Sequence, residues 1–154
     1  RAGRGIPVIL AHGFSDHGSC WKAFAEPLTA DHDVVLIDAR GHGQSSNPGH
    51  HYTAADQAGD VRALISQLHL AHPFIIGHSM GGVACTYYQH NYEQNHLEKM
   101  ILLGSPSDFN VLMQNYSAML GLNPKTNQLI KKHIKQRFNI NQNGSIKTEN
   151  RECN

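Results

Sequence analysis

Four short apolar runs punctuate the chain: Pro7 to Ala11, Val34 to Asp38, Phe74 to Gly77 and Met100 to Leu103. Each passes into glycine or turn-forming residues, and the first three then into a helical pattern. That is the rhythm of strand–helix units around a parallel sheet, in which strands covered on both faces read as unbroken apolar stretches. Between the second and third runs, Thr53 and Asp56 have the spacing of a capping box, so a helix is expected to begin there. Its apolar positions Ala58, Val61, Leu64, Ile65 and Leu68 fall three and four apart and form one stripe to lay on a sheet. The stripe is read as packing, not as a cofactor site.

The pattern changes after Pro106. Phe109, Leu112, Met113, Tyr116, Met119 and Leu120 repeat with helical spacing, with Ser107 or Asp108 as cap and with Gly121 and Pro124 as the stop. A second helix is expected from Lys125 to Phe138, with Leu129, Ile130, Ile134 and Phe138 on one side and five basic residues elsewhere. The basic face is read as solvated, not as a membrane or nucleic-acid surface. Residues 139 to 154 are polar and aperiodic and read as loop or disordered tail. The expected organisation is therefore a core over 1–106, a helical segment over 107–138 and a tail over 139–154.

Composition narrows the classes without choosing among them. A chain of 154 residues can bury a core without staples, and a net charge of +1 with 16% charged residues recommends no polyanionic partner. Cys20, Cys85 and Cys153 are odd in number and lack metal-site spacing, which argues against a disulfide framework and fits a reducing, cytoplasmic setting. The apolar stretch from Ile6 to Ala11 is too short for a signal core or a membrane span.

The candidate chemistry lies at Gly77-His78-Ser79-Met80-Gly81, which matches G-x-S-x-G. Three fixed positions recur by chance in roughly one chain of this length in twenty. Context therefore has to carry the reading, and here the motif follows the run Phe74 to Ile76 and precedes a helical stretch, Gly82 to Tyr92. A serine on a sharp strand-to-helix turn needs neighbours without Cβ atoms so that its Oγ stands clear. The positive end of the following helix favours an oxyanion formed by attack of that Oγ, and the backbone N–H of Met80 supplies one donor. His12-Gly13-Phe14 ends the first run at the carboxyl edge of a neighbouring strand, so the Phe14 N–H is the candidate second donor.

Taken together, His12-Gly13-Phe14, Asp38-Ala39-Arg40-Gly41-His42-Gly43-Gln44-Ser45 and Gly77-His78-Ser79-Met80-Gly81-Gly82 resemble the α/β-hydrolase superfamily. More narrowly, they are similar to its bacterial esterase, lipase and haloperoxidase-like members, over residues 5 to 106. The resemblance implies a parallel sheet in the order 4-3-5-6, in that family's strand numbering, with helices on both faces and the start of a helical cap after Ser105. It implies a serine hydrolase acting on ester-type or C–C bonds of a small molecule through an acyl-serine, with no cofactor and no metal. The aspartate that dehalogenases and epoxide hydrolases of the fold carry is here Ser79. Cap residues Phe109, Met113 and Tyr116 are candidates for an acyl pocket, although core packing is the simpler role.

The resemblance also implies an acid and a histidine beyond the sixth strand, and no further strand pattern follows. Asp108 stands where some members place the acid, but a helix cap suits it better, and His133 reads as a surface or cap residue. The chain is accordingly expected to be a fragment or truncated product, feeble or inactive alone, with sheet edges open to self-association or a complementing chain. Two other chemistries have a partial signature. His12-Gly13-Phe14-Ser15-Asp16-His17 resembles the H-x-H-x-D-H signature of metallo-β-lactamase-fold hydrolases, with Phe14 in place of a ligand. Gly41-His42-Gly43 hints at a dinucleotide loop, but Ser46 replaces the third glycine and Pro48 forbids an immediate helix.

Overall fold

The computed structural model describes residues 1–92, 97–137 and 140. Its sheet has five strands: β1 (Ala2–Gly3), β2 (Ile6–Ala11), β3 (His32–Ile37), β4 (Phe74–His78) and β5 (Lys99–Leu103). Their order is β1-β3-β2-β4-β5. The last four are parallel, in the order expected from the sequence. β1 is an addition: it runs antiparallel to β3, with Ala2 opposite Val34 and Gly3 opposite Asp33. Two residues give no periodic signal, so the sequence offered no warning of it. A bidentate ion pair between the Arg1 guanidinium and the Asp33 carboxylate ties the strand down.

Among the described residues five α-helices accompany the sheet: α1 (Lys22–Leu28), α2 (Ala54–Gln67), α3 (Met80–Asn91), α4 (Phe109–Met119) and α5 (Pro124–Arg137). No bounds are expected for α1 from the sequence. α3 starts at Met80, two residues ahead of the expected Gly82, because the start of that helix is glycine-rich. The expected tail lies outside the described residues except for Ile140.

Successive strand residues point to opposite faces, and β2 uses both. Ile9 and Ala11 join Val35, Ile75, Ala58, Val61, Ile65, Val83 and Tyr88 under α2 and α3. Val8 and Leu10 join Val34, Ile76, Trp21 and Ala25 under α1. This two-sided burial is why β2, β3 and β4 show no polar alternation. β5 departs from it, for Ile101, Leu102 and Leu103 are 46%, 43% and 40% exposed.

The start of α2 is the capping box read from the sequence. Thr53 Oγ1 accepts from the Asp56 N–H at 3.1 Å and the Asp56 carboxylate accepts from the Thr53 N–H at 2.9 Å. Further along α2, a Cβ added at Gly59 would meet no atom within 4 Å. Two substitutions in this helix should therefore have opposite signs. Thr53→Ala should lower the unfolding free energy by about 1 kcal/mol, and Gly59→Ala should raise it by up to about 1 kcal/mol. Urea unfolding checks both, and equal or same-signed shifts would contradict this account of α2.

Candidate active site

Ser79 sits between the last residue of β4 and the first of α3, with φ 51° and ψ −119°. For a residue with a Cβ this is a strained conformation, costing of order 1–3 kcal/mol, and it persists only where the surroundings over-determine it. The surroundings do so by backbone contact. The Ser79 N–H donates to the Leu103 carbonyl at 3.0 Å, extending the β4–β5 ladder by one residue. The Ser79 carbonyl accepts from the Gly82 N–H at 3.0 Å and begins the helix. Although Ser79 occupies the N-cap position, its side chain makes no capping hydrogen bond. The hydroxyl is thus left at the positive end of a twelve-residue helix, where negative charge is favoured.

Three glycines permit this turn, and each does so against a named atom. A Cβ on Gly77 would come within 2.5 Å of the Gly82 Cα, and one on Gly81 within 2.6 Å of the carbonyl oxygens of Ala11 and His12. A Cβ on Gly82 would overlap the Ser105 hydroxyl, whose oxygen is buried with no hydrogen-bond partner among the described residues. Gly13 brings the first loop up to the same spot. Its missing Cβ would lie 3.0 Å from His78 Nδ1 and 3.2 Å from Ser79 Cβ. Of these neighbours, Ser105 was not singled out by the sequence, because the register that places it over Gly82 exists only in the folded sheet.

The two residues expected to supply amides share one small cavity of about 30 Å³, lined by Phe14 and Met80 together with His12, Gly13 and His42. A larger cavity of about 330 Å³ lies between the ends of β2 and β3 and α2, with Asp38, Arg40 and Gln57 in its wall, and reaches none of Ser79, Phe14 and Met80. Asp108 caps α4, its Oδ1 accepting from the Asn110 N–H at 2.6 Å. Phe109 and Met113 are buried while Tyr116 is exposed, and none of the three lines either cavity. His133 lies on the exposed side of α5.

His12 is buried, and both ring nitrogens are committed. Nε2 accepts from the Ala39 N–H at 2.9 Å and Nδ1 faces the Gly13 carbonyl at 2.7 Å. One nitrogen must accept and the other donate, which fixes the neutral Nδ1–H tautomer. Burial pushes its pKa down, in the same direction. A ring so used cannot ligate a metal, so the zinc reading of His12 to His17 fails at its first ligand. Among the described residues no three His, Cys, Asp or Glu side chains cluster as a metal site. The dinucleotide reading fails too. Gly41 and Gly43 have left-handed φ values of 75° and 50°, and a side chain on Gly43 would collide with the Asp38 carboxylate. An acidic group stands where that reading needs a phosphate.

Asp38 organises this second loop. Its carboxylate accepts from the Gln44 N–H at 2.9 Å and the Gly18 N–H at 2.6 Å, and these amides hold its pKa below the ordinary carboxylate range. Arg40 then fastens the loop to α2, donating to both Asp60 oxygens at 2.6 Å and to the Asp56 carbonyl at 3.0 Å.

An open, mainly parallel sheet with helices on both faces and a strained serine at a strand-to-helix turn defines a class: α/β proteins whose chemistry is carried at the carboxyl edge of the sheet. The chain belongs to the alpha/beta hydrolase fold family, whose model matches residues 6–138. It is 30% identical over 102 residues to a soluble epoxide hydrolase of Corynebacterium sp., covering 66% of this chain and 35% of that protein. Among solved structures it is similar to an esterase from Exiguobacterium antarcticum, with TM-score 0.66 and 29% identity, covering 68% of this chain and 40% of that one. It is also similar to a bromoperoxidase from Bacillus anthracis, with TM-score 0.67 and 32% identity, over 70% of this chain and 40% of that one. The chain spans less than half the length of the curated relatives it matches, 36% for the first of them. No helix among the described residues is long and apolar enough to cross a membrane.

Two predictions follow from the packing of these loops. Gly81→Ala sets a Cβ against two backbone carbonyls that cannot rotate away, so it should cost about 2 kcal/mol or more in urea unfolding; a neutral result would mean that β2 and α3 are not in this close contact. A depressed folded pKa at Asp38 means stability that is present above the unfolded value of about 3.9 and lost as pH falls through the lower folded value. Asp38→Asn should therefore be less stable near neutral pH and show a flatter stability curve on acidification; parallel curves for the two proteins would remove Asp38 from the linkage.

Proposed function

We propose that the chain carries the nucleophile of a serine hydrolase acting on ester-type bonds of small molecules. The observation that carries this reading is the strained φ of Ser79 combined with a hydroxyl not spent on capping the helix it precedes. In this reading the Ser79 Oγ adds to the substrate carbonyl carbon as its proton passes to a base. The carbonyl oxygen becomes an oxyanion held by the N–H groups of Met80 and Phe14. Collapse breaks the bond to the leaving alcohol and leaves an acyl-serine for water to hydrolyse. The general base is not assigned to His12, since both of its nitrogens are committed. Asp108 is kept as a helix cap, and Tyr116, exposed on α4, is the candidate to touch an acyl chain.

The relative that hydrolyses epoxides leaves the bond type to be argued from the site. A serine nucleophile yields an acyl intermediate from a carbonyl substrate, which favours ester-type or C–C cleavage over epoxide opening. The exposed apolar residues of β5 favour a second reading, in which a hydrolase-like module pairs with another chain through that edge. A reducing, cytoplasmic setting suits both, since Cys85 is fully buried and Cys20 is exposed, each a free thiol.

A fluorophosphonate probe separates the readings, because it reacts only with an activated serine. The expected result is one labelled site, Ser79, absent in Ser79→Ala. With the base unassigned, turnover of p-nitrophenyl acetate should be feeble, about 10³ to 10⁴-fold over water, and should fall with the same substitution. Label at another residue, or a chain that stays unlabelled while eluting as a dimer, would overturn the nucleophile reading and favour the pairing one.

A further inference from the structure

The hairpin of α4 and α5 is buried at one end and bare at the other. Phe109 and Met113, in the first half of α4, are 7% and 5% exposed, and Lys135, near the end of α5, lies over the Phe109 ring at 5.9 Å from its centre. The start of α4 thus meets the end of α5, the two helices run antiparallel, and the turn between them is the outer end. There Met119, Leu120 and Leu129 are 71%, 61% and 69% exposed, the highest values among the exposed large hydrophobic side chains of the described residues. The turn is closed by hydrogen bonds. The Gly121 and Leu122 N–H groups donate to the Ala118 and Ser117 carbonyls, and the Asn123 side chain accepts from the Thr126 N–H at 2.9 Å.

Charge is distributed as unevenly as burial. From Phe109 to Arg137 the sequence holds five basic residues and no acidic one, so a chain of net charge +1 divides into a cationic hairpin and a remainder with eight basic against twelve acidic residues. The adjoining acid, Asp108, caps α4 at the opposite end from the turn. Lys125, Leu129 and Lys132 follow at spacings of four and three on α5 and are all exposed, which sets a leucine between two ammonium groups on one face. The sequence alone reads this basic face as solvated. That reading leaves unexplained why three bare apolar side chains stand at the same end of the hairpin.

The occupant of such a surface has to answer both features. Nucleic-acid phosphates would pair with the ammonium groups and leave Met119, Leu120 and Leu129 in water. A second copy of the hairpin would bring a second set of five basic residues against the first, and like charges repel. A bilayer with anionic headgroups meets both demands. Apolar side chains reach the boundary of the acyl chains, while lysines keep their ammonium groups at the phosphates on extended hydrocarbon stems.

We propose that the turn end of the α4–α5 hairpin is a docking surface for anionic lipid bilayers, with Met119, Leu120 and Leu129 dipping into the headgroup layer and Lys125 and Lys132 held at its phosphates. The chain lies on such a surface without crossing it, in keeping with the lack of any membrane-spanning helix among the described residues. None of these side chains takes part in the turn at Ser79, so the proposal does not rest on the nucleophile reading.

The test is co-sedimentation of the full chain with vesicles of phosphatidylcholine alone or with phosphatidylserine as about one lipid in three. The chain should bind the anionic vesicles, leave the neutral ones, and come off in about 0.5 M sodium chloride, where screening is short-ranged. Lys125→Gln and Lys132→Gln, both at exposed positions, should each weaken binding about fivefold. Insertion is read separately with Leu129→Trp. Trp21, the single tryptophan of the chain, is buried, so a shift of emission to shorter wavelength on adding anionic vesicles reports the new side chain entering the headgroup layer. Equal binding to both vesicles, no binding to either, or full binding by the Lys125→Gln/Lys132→Gln double variant would overturn the proposal. So would an unmoved Leu129→Trp emission, or binding to duplex DNA in place of vesicles, which would assign the lysines to a nucleic acid.

Discussion

The structure depends on one close approach: the backbone of α3's first turn lies against the carbonyls that end β2. Gly81 makes that approach, with Ala11 and His12 oxygens where a side chain would begin. Gly77 and Gly82 face each other across the turn, and Ser105 fills the space over Gly82. A strained serine is expensive to hold, and such packing is what holds it. Because the constraint is backbone against backbone, it cannot be relaxed by a rotamer change. Three glycines and a positive φ are therefore one physical fact, not four.

From that contact the second loop is organised outward in layers. Asp38 is fixed by two amides, Arg40 by α2, and the two histidines by each other's loops. Each layer uses charge or hydrogen bonding where the first used shape.

How much of this was legible in the sequence depended on whether the signal was local. Parallel strands β2 to β4 were readable because burial on both faces leaves unbroken apolar runs, and β5 because its run is apolar even where it is exposed. The α2 cap was readable because Thr53 and Asp56 are three residues apart. The elbow was readable because its glycines are adjacent to its serine. β1 was not, since two residues show no period and the Arg1–Asp33 pair that secures them spans 32 positions. The contacts of His42 were not legible for the same reason. Ser46 and Pro48 already excluded a dinucleotide loop, but nothing local pointed to the partners of the His42 ring, Phe14, 28 residues away, and Arg40. The zinc reading failed differently, because a histidine's type says nothing of which bonds its nitrogens already make.

The exposed apolar surface beyond Ser79 is shared between β5 and α4. The chain's buried core lies under α1, α2 and α3, on the near side of the elbow, whereas Ile101, Leu102 and Leu103 on β5 and Val111, Met119 and Leu120 around α4 face outward. Apolar area left in water is worth about 25 cal/mol per Å² to whatever covers it. A contact made on α4 would therefore bury apolar area without touching the turn at Ser79. The turn at Ser79 is not independent of this surface, since the Ser79 N–H donates to the Leu103 carbonyl and Ser105 packs over Gly82. A substitution on the exposed face of α4 should therefore leave the turn at Ser79 intact, whereas one at Leu103 reaches that turn through the strand backbone.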